Sequence, residues 1–232
     1  MKQLTKIILV NAVIFLFLSC GSIDLAKKYP NMIANVDPFS VGTIEAQFDR
    51  FFSTKVKKAE IEVIFHPRLN AVSLEFKYEL LTYRQFWDES ARKQFAASLA
   101  LYKRDFDDSK LIDNYKKTKT VYGNVKGHLE WEATKYTKTR ISNPTIELGY
   151  RFKENTPFFT TTMRSAKEEM SEGDSSTPLD SQQLNMYFTR AQADGLSGIF
   201  DQARLLELLG KKTNPVTDEG APPEGRYREY RE

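Results

Sequence analysis

The hydrophobic pattern of this chain changes period twice, and that change restricts the folds it can adopt. Apolar and polar side chains alternate over 59–65 and again over 72–80, on either side of a loop that contains Pro67 and Asn70. Alternation with a period of two is typical of a half-buried strand, and two such runs around a turn predict a β-hairpin. Alternation from 42 to 48 predicts a further strand.

The period then lengthens to that of a helix. From Ala91 to Phe106 apolar side chains recur every three or four residues, which predicts an amphipathic helix capped by Asp88 or Ser90. Alternation returns over 121–131 and 146–152 and predicts a second hairpin.

Two more helices are predicted near the end of the sequence. The first starts at Ser181, carries apolar residues over 184–191 and ends at Asp194–Gly195, and the second covers 199–210. Together the segments predict an α+β fold: an antiparallel sheet built from two hairpins with amphipathic helices packed on one face.

Composition divides the chain into four segments. Residues 1–19 join a charged start to an apolar stretch, which predicts a secretory signal peptide. The apolar stretch, 7–18, is shorter than the ~20 residues that a membrane-spanning helix needs. Residues 20–40 are predicted to form a tether, and residues 41–210 a single α+β domain. Residues 211–232 are predicted to form a disordered tail rich in proline, glycine and charged residues.

The end of the signal, Leu18-Ser19-Cys20-Gly21, resembles the lipobox of bacterial lipoprotein precursors. The resemblance implies that the signal is cut before Cys20, that the thiol receives a diacylglyceryl group, and that the new amino terminus is acylated. The sequence departs from the family at Phe17, where Leu is most frequent. Cys20 is the only cysteine in the chain, so a disulfide within the chain is impossible.

The lipobox resemblance also implies a location. The partner is a membrane, reached through the acyl chains on Cys20. Gly21 stands where such lipoproteins carry an inner-membrane retention signal, an aspartate, and the first acidic residue is Asp24. We therefore expect a lipid-anchored protein of the cell envelope, in the outer membrane if the host has one.

The charge balance argues against nucleic acid as a partner. Loss of residues 1–19 removes Lys2 and Lys6 from the 34 basic residues and none of the 31 acidic ones, which leaves a formal charge of +1. Proteins that bind nucleic acid usually carry a strong basic excess.

One strand face carries a possible chemical site. His128, Glu130 and Glu132 alternate onto one side of a predicted strand, where they suit either a metal or acid–base site or the solvated face of a half-buried sheet. The solvated face is the commoner arrangement. His66, before Pro67, is interpreted as a turn residue.

Other chemical signals are weak. Ser197 lies between two helical patterns and outside any G-x-S-x-G elbow, so it is interpreted as a helix cap. Tyr83, Phe86 and Trp87, at a predicted strand-to-helix junction, are aromatic candidates for carbohydrate or lipid recognition. The sequence predicts no catalytic residue, cofactor or metal site.

Three functions remain open. The first is a non-enzymatic interaction or assembly module with an envelope protein partner. The second is a lipoprotein that binds a lipid, glycan or other small ligand in a cavity between sheet and helices. The third is an envelope hydrolase with scattered carboxylates. The absence of catalytic motifs favours the first.

Overall fold

The computed structural model describes residues 28–49, 56–112, 120–133, 138–170 and 177–213. Within them the chain forms ten strands: β1 (Phe39–Asp49), β2 (Val56–His66), β3 (Ala71–Tyr78), β4 (Leu81–Asp88), β5 (Thr120–Lys126), β6 (His128–Glu132), β7 (Arg140–Ser142), β8 (Thr145–Lys153), β9 (Thr156–Met163) and β10 (Leu184–Phe188). The helices in the same ranges are α1 (Glu89–Asp107), α2 (Arg190–Phe200) and α3 (Gln202–Thr213). None of these helices is long and apolar enough to cross a membrane.

All ten strands belong to one curled antiparallel sheet, so the α+β class and the antiparallel sheet predicted from sequence are confirmed. The strand order is β5-β8-β9-β10-β1-β2-β3-β4-β6-β7. The chain connects the two ends of this order: β5, at one end, continues into β6 near the other end, and β7, at that other end, continues into β8. Gly127 alone separates β5 from β6, and Asn143–Pro144 separates β7 from β8. The Gly127 N–H donates to the Pro144 carbonyl at 2.9 Å, which continues the ladder across the bend.

A side chain at the Gly127 bend would crowd a buried residue of the core. A Cβ atom at this position would stand 2.6 Å from Cδ1 of Ile146, a fully buried residue of β8. Real Cβ atoms essentially never approach another heavy atom so closely. Gly127 therefore allows the strand to turn tightly over the core.

One face of the sheet packs against the helices. Helix α1 contacts β4, β5 and β8, and α2 contacts α1 and β1. Four aromatic rings from four elements meet at the centre: Phe95 of α1 lies 5.8 Å from Trp87, 5.2 Å from Phe159 and 5.2 Å from Phe200, measured between ring centroids. The edge-to-face geometry of these pairs is the one that aromatic quadrupoles favour.

Helix α1 forms as predicted. Asp88 is its N-cap and accepts a hydrogen bond from the Ala91 N–H at 2.7 Å. Its apolar stripe faces the core, with Phe95, Leu99 and Tyr102 buried. The guanidinium of Arg92, also buried on this helix, donates to backbone carbonyls of the β2–β3 turn, of β4 and of the end of α2, so it fastens three elements together.

Three segments differ from the sequence predictions. Residues 184–188, predicted to be helical, form β10 because the segment pairs with β1 on one side and β9 on the other. Helix α2 begins only after Thr189, whose side chain forms a capping box with Gln192, and it continues through the predicted stop at Asp194–Gly195. The predicted strand over 72–80 ends at Tyr78, and a fourth strand, β4, occupies the junction between this strand and α1, where no strand is predicted.

The ends of the domain also differ from the predicted boundaries. The domain was predicted to begin at residue 41, but β1 starts at Phe39, and α3 continues to Thr213, beyond the predicted stop at Gly210. Part of the predicted tether lies on the domain, because Ile33, Ala34 and Val36 pack against the core. The signal peptide, Cys20 and the segment 214–232 lie outside the described residues.

Candidate functional site

The outward face of β2, β3, β4 and β6, opposite the helices, carries both histidines of the chain. The strand register determines the grouping. Phe86 on β4 pairs with Ser73 on β3 and with His128 on β6, and two residues earlier Arg84 pairs with Glu75 and Glu130. We call this group the histidine network; it consists of His66, Ser73, Glu75, Arg84, Phe86, His128 and Glu130.

The ionic row of the network centres on Arg84. Its Nε atom lies 2.6 Å from Oε1 of Glu75, and its Nη1 atom lies 2.8 Å from Oε2 of Glu130. Burial alone would lower the pKa of Arg84, but the hydrogen bonds to the two carboxylates raise it. One guanidinium therefore bridges two acids, one on each of the strands that flank β4.

The aromatic row centres on Phe86. Its ring lies between the imidazoles of His66 and His128, with centroid distances of 5.0 and 5.3 Å. His66 Nε2 lies 2.8 Å from the Ser73 hydroxyl, which lies 3.3 Å from Oε1 of Glu75. This chain of contacts joins the aromatic row to the ionic row.

The two histidines have pKa values displaced in opposite directions. Interaction with Glu130, whose carboxylate lies 3.6 Å from His128 Nε2, raises the pKa of His128. Burial lowers the pKa of His66. The contact with His128, supported by Arg84, holds the pKa of Glu130 below its ordinary value despite partial burial. Near neutral pH, His66 is thus the neutral imidazole and His128 the more readily charged one.

A shallow cleft of about 390 Å³ lies beside Phe86, and its lining combines apolar residues with residues of both charges: Leu69, Ala71, Phe86, Asp88, Lys126, Gly127, His128 and Glu130. Two of its acids are already engaged, since Asp88 caps α1 and Glu130 binds Arg84. Across the described ranges, no group of three or more His, Cys, Asp or Glu side chains is placed to hold a metal ion. The cleft therefore presents the aromatic ring of Phe86 beside charged side chains that are held in place by their own partners.

The structure separates the residues that the sequence grouped. His128 and Glu130 belong to the network, whereas Glu132 instead accepts a hydrogen bond from the Thr139 hydroxyl at 3.2 Å. Of the three aromatic candidates, Tyr83 and Trp87 are core residues, and Phe86 alone faces outward.

His66 was missed as a site residue. It is the last residue of β2, not a turn residue, and cross-strand pairing brings it within reach of Ser73. The alternation of β3 and β4 is the sequence feature that indicates this site, because it places Ser73 and Phe86 on the outward face. Ser197 lies inside α2 and does not cap a helix.

Two other polar clusters connect strands and loops of the sheet through hydrogen bonds. Asp49, at the end of β1, accepts hydrogen bonds from Lys153 of β8 and from Asn185 and Tyr187 of β10, at 2.7, 2.7 and 2.9 Å. The second cluster is built on the buried carboxylate of Glu168, which accepts from Lys138, Arg140 and the backbone N–H of Leu179 and so holds the segments on either side of it.

Fold and site together define an α+β protein with a curled antiparallel sheet and a charged, aromatic surface patch. The family model described as "Uncharacterised Treponema protein" matches residues 39–207, from the first residue of β1 into α3, and the chain belongs to this family. No curated protein and no solved structure matches the chain.

Proposed function

We propose that this protein is a membrane-anchored lipoprotein of the cell envelope that acts as a non-enzymatic interaction or assembly module. The membrane part of the proposal comes from the sequence: a charged start, a short apolar stretch, and Cys20 directly after Ser19. The acyl chains on Cys20 supply the membrane affinity. Gly21 after the cysteine supports an outer-membrane destination in a host that has one.

The interaction part is carried by one observation: large side chains fill the space between sheet and helices. The biggest of them, each less than 2% exposed, are Trp87, Tyr83, Tyr102, Phe48, Phe65, Phe95, Phe159 and Phe188. Sites for lipids or small ligands usually need a concave pocket, largely formed in advance. Dense packing by aromatic rings therefore favours recognition at the surface over the alternative of an internal ligand cavity.

The charges of the histidine network also favour recognition over hydrolysis. A hydrolase with two carboxylates needs one acid with a raised pKa beside one that stays ionised. Here Glu130 has a lowered pKa, and both Glu75 and Glu130 bind Arg84. We infer that the outward face around Phe86 contacts an envelope protein partner.

The finer organisation of the sheet belongs to the same proposal. We infer that two hairpins form its framework, one made of β2 and β3 and the other of the bent pair β5–β6 and β7–β8. Antiparallel pairing of β2 with β3, of β5 with β8 and of β6 with β7 supports this arrangement. Helices on the opposite face leave the histidine network free for a partner.

Lipidation is tested by feeding cells an alkyne fatty acid and comparing the wild type with Cys20→Ala. We expect label on the wild type alone, and equal labelling of both would refute the anchor. Separation of the membranes on a density gradient tests the destination. Recovery with inner-membrane markers would refute the outer-membrane assignment.

The interaction surface is tested with a photo-crosslinking amino acid incorporated at Phe86. The matched control is Phe106, a half-exposed aromatic residue on α1. We expect a discrete crosslinked species in cells from the Phe86 probe, absent from the Phe106 probe and weakened by Arg84→Ala. The same species from both positions, or none from Phe86, would contradict the assignment of this face.

A further inference from the structure

The chain enters the domain at one end of the sheet. The Ile33 N–H donates to the Pro67 carbonyl at 3.0 Å. Arg68, in the same β2–β3 turn, donates to the side chains of Asn35 at 2.7 Å and Asp37 at 2.8 Å. Asn31 lies beside the turn, where it lines a cleft with Leu69. The segment 31–37 is thus fastened to the turn, which we call the entry turn (67–70).

A short length of chain separates this attachment from Cys20. Seven residues, 21–27, lie between Cys20 and the first described residue, Lys28. Even fully extended, the eight Cα–Cα steps from Cys20 to Lys28 span at most about 29 Å. A lipid on Cys20 therefore keeps the entry-turn end of the domain near the headgroups.

The opposite end of the sheet lies well away from the entry turn. Strand β3 runs from Ala71, next to the entry turn, to Tyr78, next to the β3–β4 turn. Its eight residues cover about 26 Å at the rise of an antiparallel strand. Each turn carries an exposed leucine: Leu69 is 42% exposed in the entry turn, and Leu80 is 87% exposed in the β3–β4 turn.

We propose that the entry turn lies against the bilayer surface, with β2 and β3 pointing away from it. This inference rests on the proposed lipid anchor. The chemistry of the entry-turn end suits the headgroup region. Leu69 offers exposed apolar surface, and Tyr29 carries the Lys28 ammonium 5.2 Å from its ring centroid, a combination typical of membrane interfaces.

The acidic groups at the entry-turn end already have partners: Asp88 caps α1, and cations pair with the other two. Asp37 binds Arg68 at 2.8 Å, and Glu89 binds Lys93 at 2.6 Å. In this orientation the histidine network faces sideways, along the membrane plane, where a neighbouring envelope protein can reach it.

The two exposed leucines provide a matched test. Leu69→Cys and Leu80→Cys are made in the full acylated protein, where acylation of Cys20 leaves the introduced cysteine as the only thiol. Each variant is labelled with an environment-sensitive fluorophore and bound to vesicles of phosphatidylcholine and phosphatidylglycerol that contain nitroxide-headgroup lipids. We expect quenching several-fold stronger at position 69 than at position 80.

Mass spectrometry and a flotation assay on the same samples separate the possible failures. Acylated, vesicle-bound protein with equal quenching at both positions, or stronger quenching at 80, overturns the orientation and leaves the anchor intact. A chain without acyl groups, which does not float with vesicles and reacts with the fluorophore at Cys20, overturns the anchor and the orientation together.

Discussion

Arg84 and Glu130 face each other across the β4–β6 ladder, and their side chains bond at 2.8 Å on the face that points away from the core. The same guanidinium holds Glu75 of β3 at 2.6 Å. Glu75 in turn pairs in register with Glu62 of β2, a second acid. Like charges directly opposite each other destabilise a sheet, so Arg84 is the cation that makes this acidic row tolerable.

Replacement of Arg84 by Ala should therefore lower the free energy of unfolding. We expect a loss of roughly 1 kcal/mol, because the pair is 43% exposed on the arginine side and solvent screens it. Arg84→Lys should recover part of the loss, since lysine restores the charge without the forked geometry. Urea titrations of Arg84→Ala, Glu130→Ala and the double variant measure the coupling. A coupling energy of zero would mean that the observed pair contributes nothing.

The two histidines should give stability profiles of opposite slope. The folded-state pKa of His128 is raised above 6.5, so its contribution is fully present below pH 6.5 and is lost as the pH rises through the folded value. The folded-state pKa of His66 is lowered. Its contribution is therefore present above pH 6.5 and is lost as the pH falls below that value.

The imidazole titrations can be assigned to single residues, because the chain has only two histidines. NMR titration of the imidazole Hε1 signals should show one midpoint above and one below 6.5, assigned with His128→Gln and His66→Gln. Urea melts at about pH 5 and about pH 8, the range in which imidazole changes charge, should show His128→Gln losing stability mainly at the lower pH. Coincident midpoints would contradict the two environments described for these rings.

Sequence reasoning located α1 and the strands β1, β2, β3, β5, β6 and β8, but it missed β4 and β7 and misassigned β10. Leu184, Tyr187 and Phe188 have the spacing of a helical stripe, while Leu184, Met186 and Phe188 also alternate. In a five-residue segment both periods fit. The decision comes from β1 and β9, which offer hydrogen bonds on both sides of the segment, and such long-range pairing is invisible to local pattern.

The candidate site was partly predictable for the same reason. Alternation alone placed His128, Glu130 and Glu132 on one face. Their differing environments depend on which strands lie beside them. Arg84 on β4 reaches Glu130, while the opposite side of β6 offers β7 and Thr139 to Glu132. His66 joined the site only through the β2–β3 register, which sequence periodicity does not specify.

The two glutamates of β6 should consequently respond differently to substitution. Glu132→Gln is expected to change the free energy of unfolding by roughly 0.5 kcal/mol or less, as at ordinary surface positions. Glu130→Gln should cost more, because it removes the carboxylate shared by Arg84 and His128. Trp131 lies between them on the core face and is only 5% exposed. Its replacement by Ala should lower the free energy of unfolding by roughly 3–5 kcal/mol.

Thermal and urea melts of the three β6 variants check this ranking. Metal content measured by mass spectrometry on the wild type and His128→Ala provides the control for an unrecognised site. Stoichiometric metal that disappears with His128→Ala would contradict the non-enzymatic proposal. Equal losses for Glu130→Gln and Glu132→Gln would contradict the pairing seen around Arg84.

The bend between β5 and β6 gives a prediction that tests how the sheet closes. Gly127→Ala places a methyl group 2.6 Å from Cδ1 of Ile146, a residue with no exposed surface, so one of the two must shift. We expect a loss of roughly 1–3 kcal/mol, the usual cost of an extra methyl group in a packed core. Ile146→Val removes the Cδ1 atom that the new methyl group would meet. On its own, that change should cost roughly 0.5–1.5 kcal/mol through the lost methyl group.

In the double variant the two substitutions should offset each other, because the space vacated by Cδ1 accepts the new methyl group. The double variant is therefore expected to lose less stability than the two single variants combined, with a coupling of roughly 0.5–3 kcal/mol as for residues in contact. Urea titrations of all four proteins measure it. Gly210→Ala is the control, since a Cβ at that position meets no atom within 4 Å. Strict additivity between Gly127→Ala and Ile146→Val would show that the bend does not press against Ile146. That result would contradict the close approach of Gly127 to Ile146.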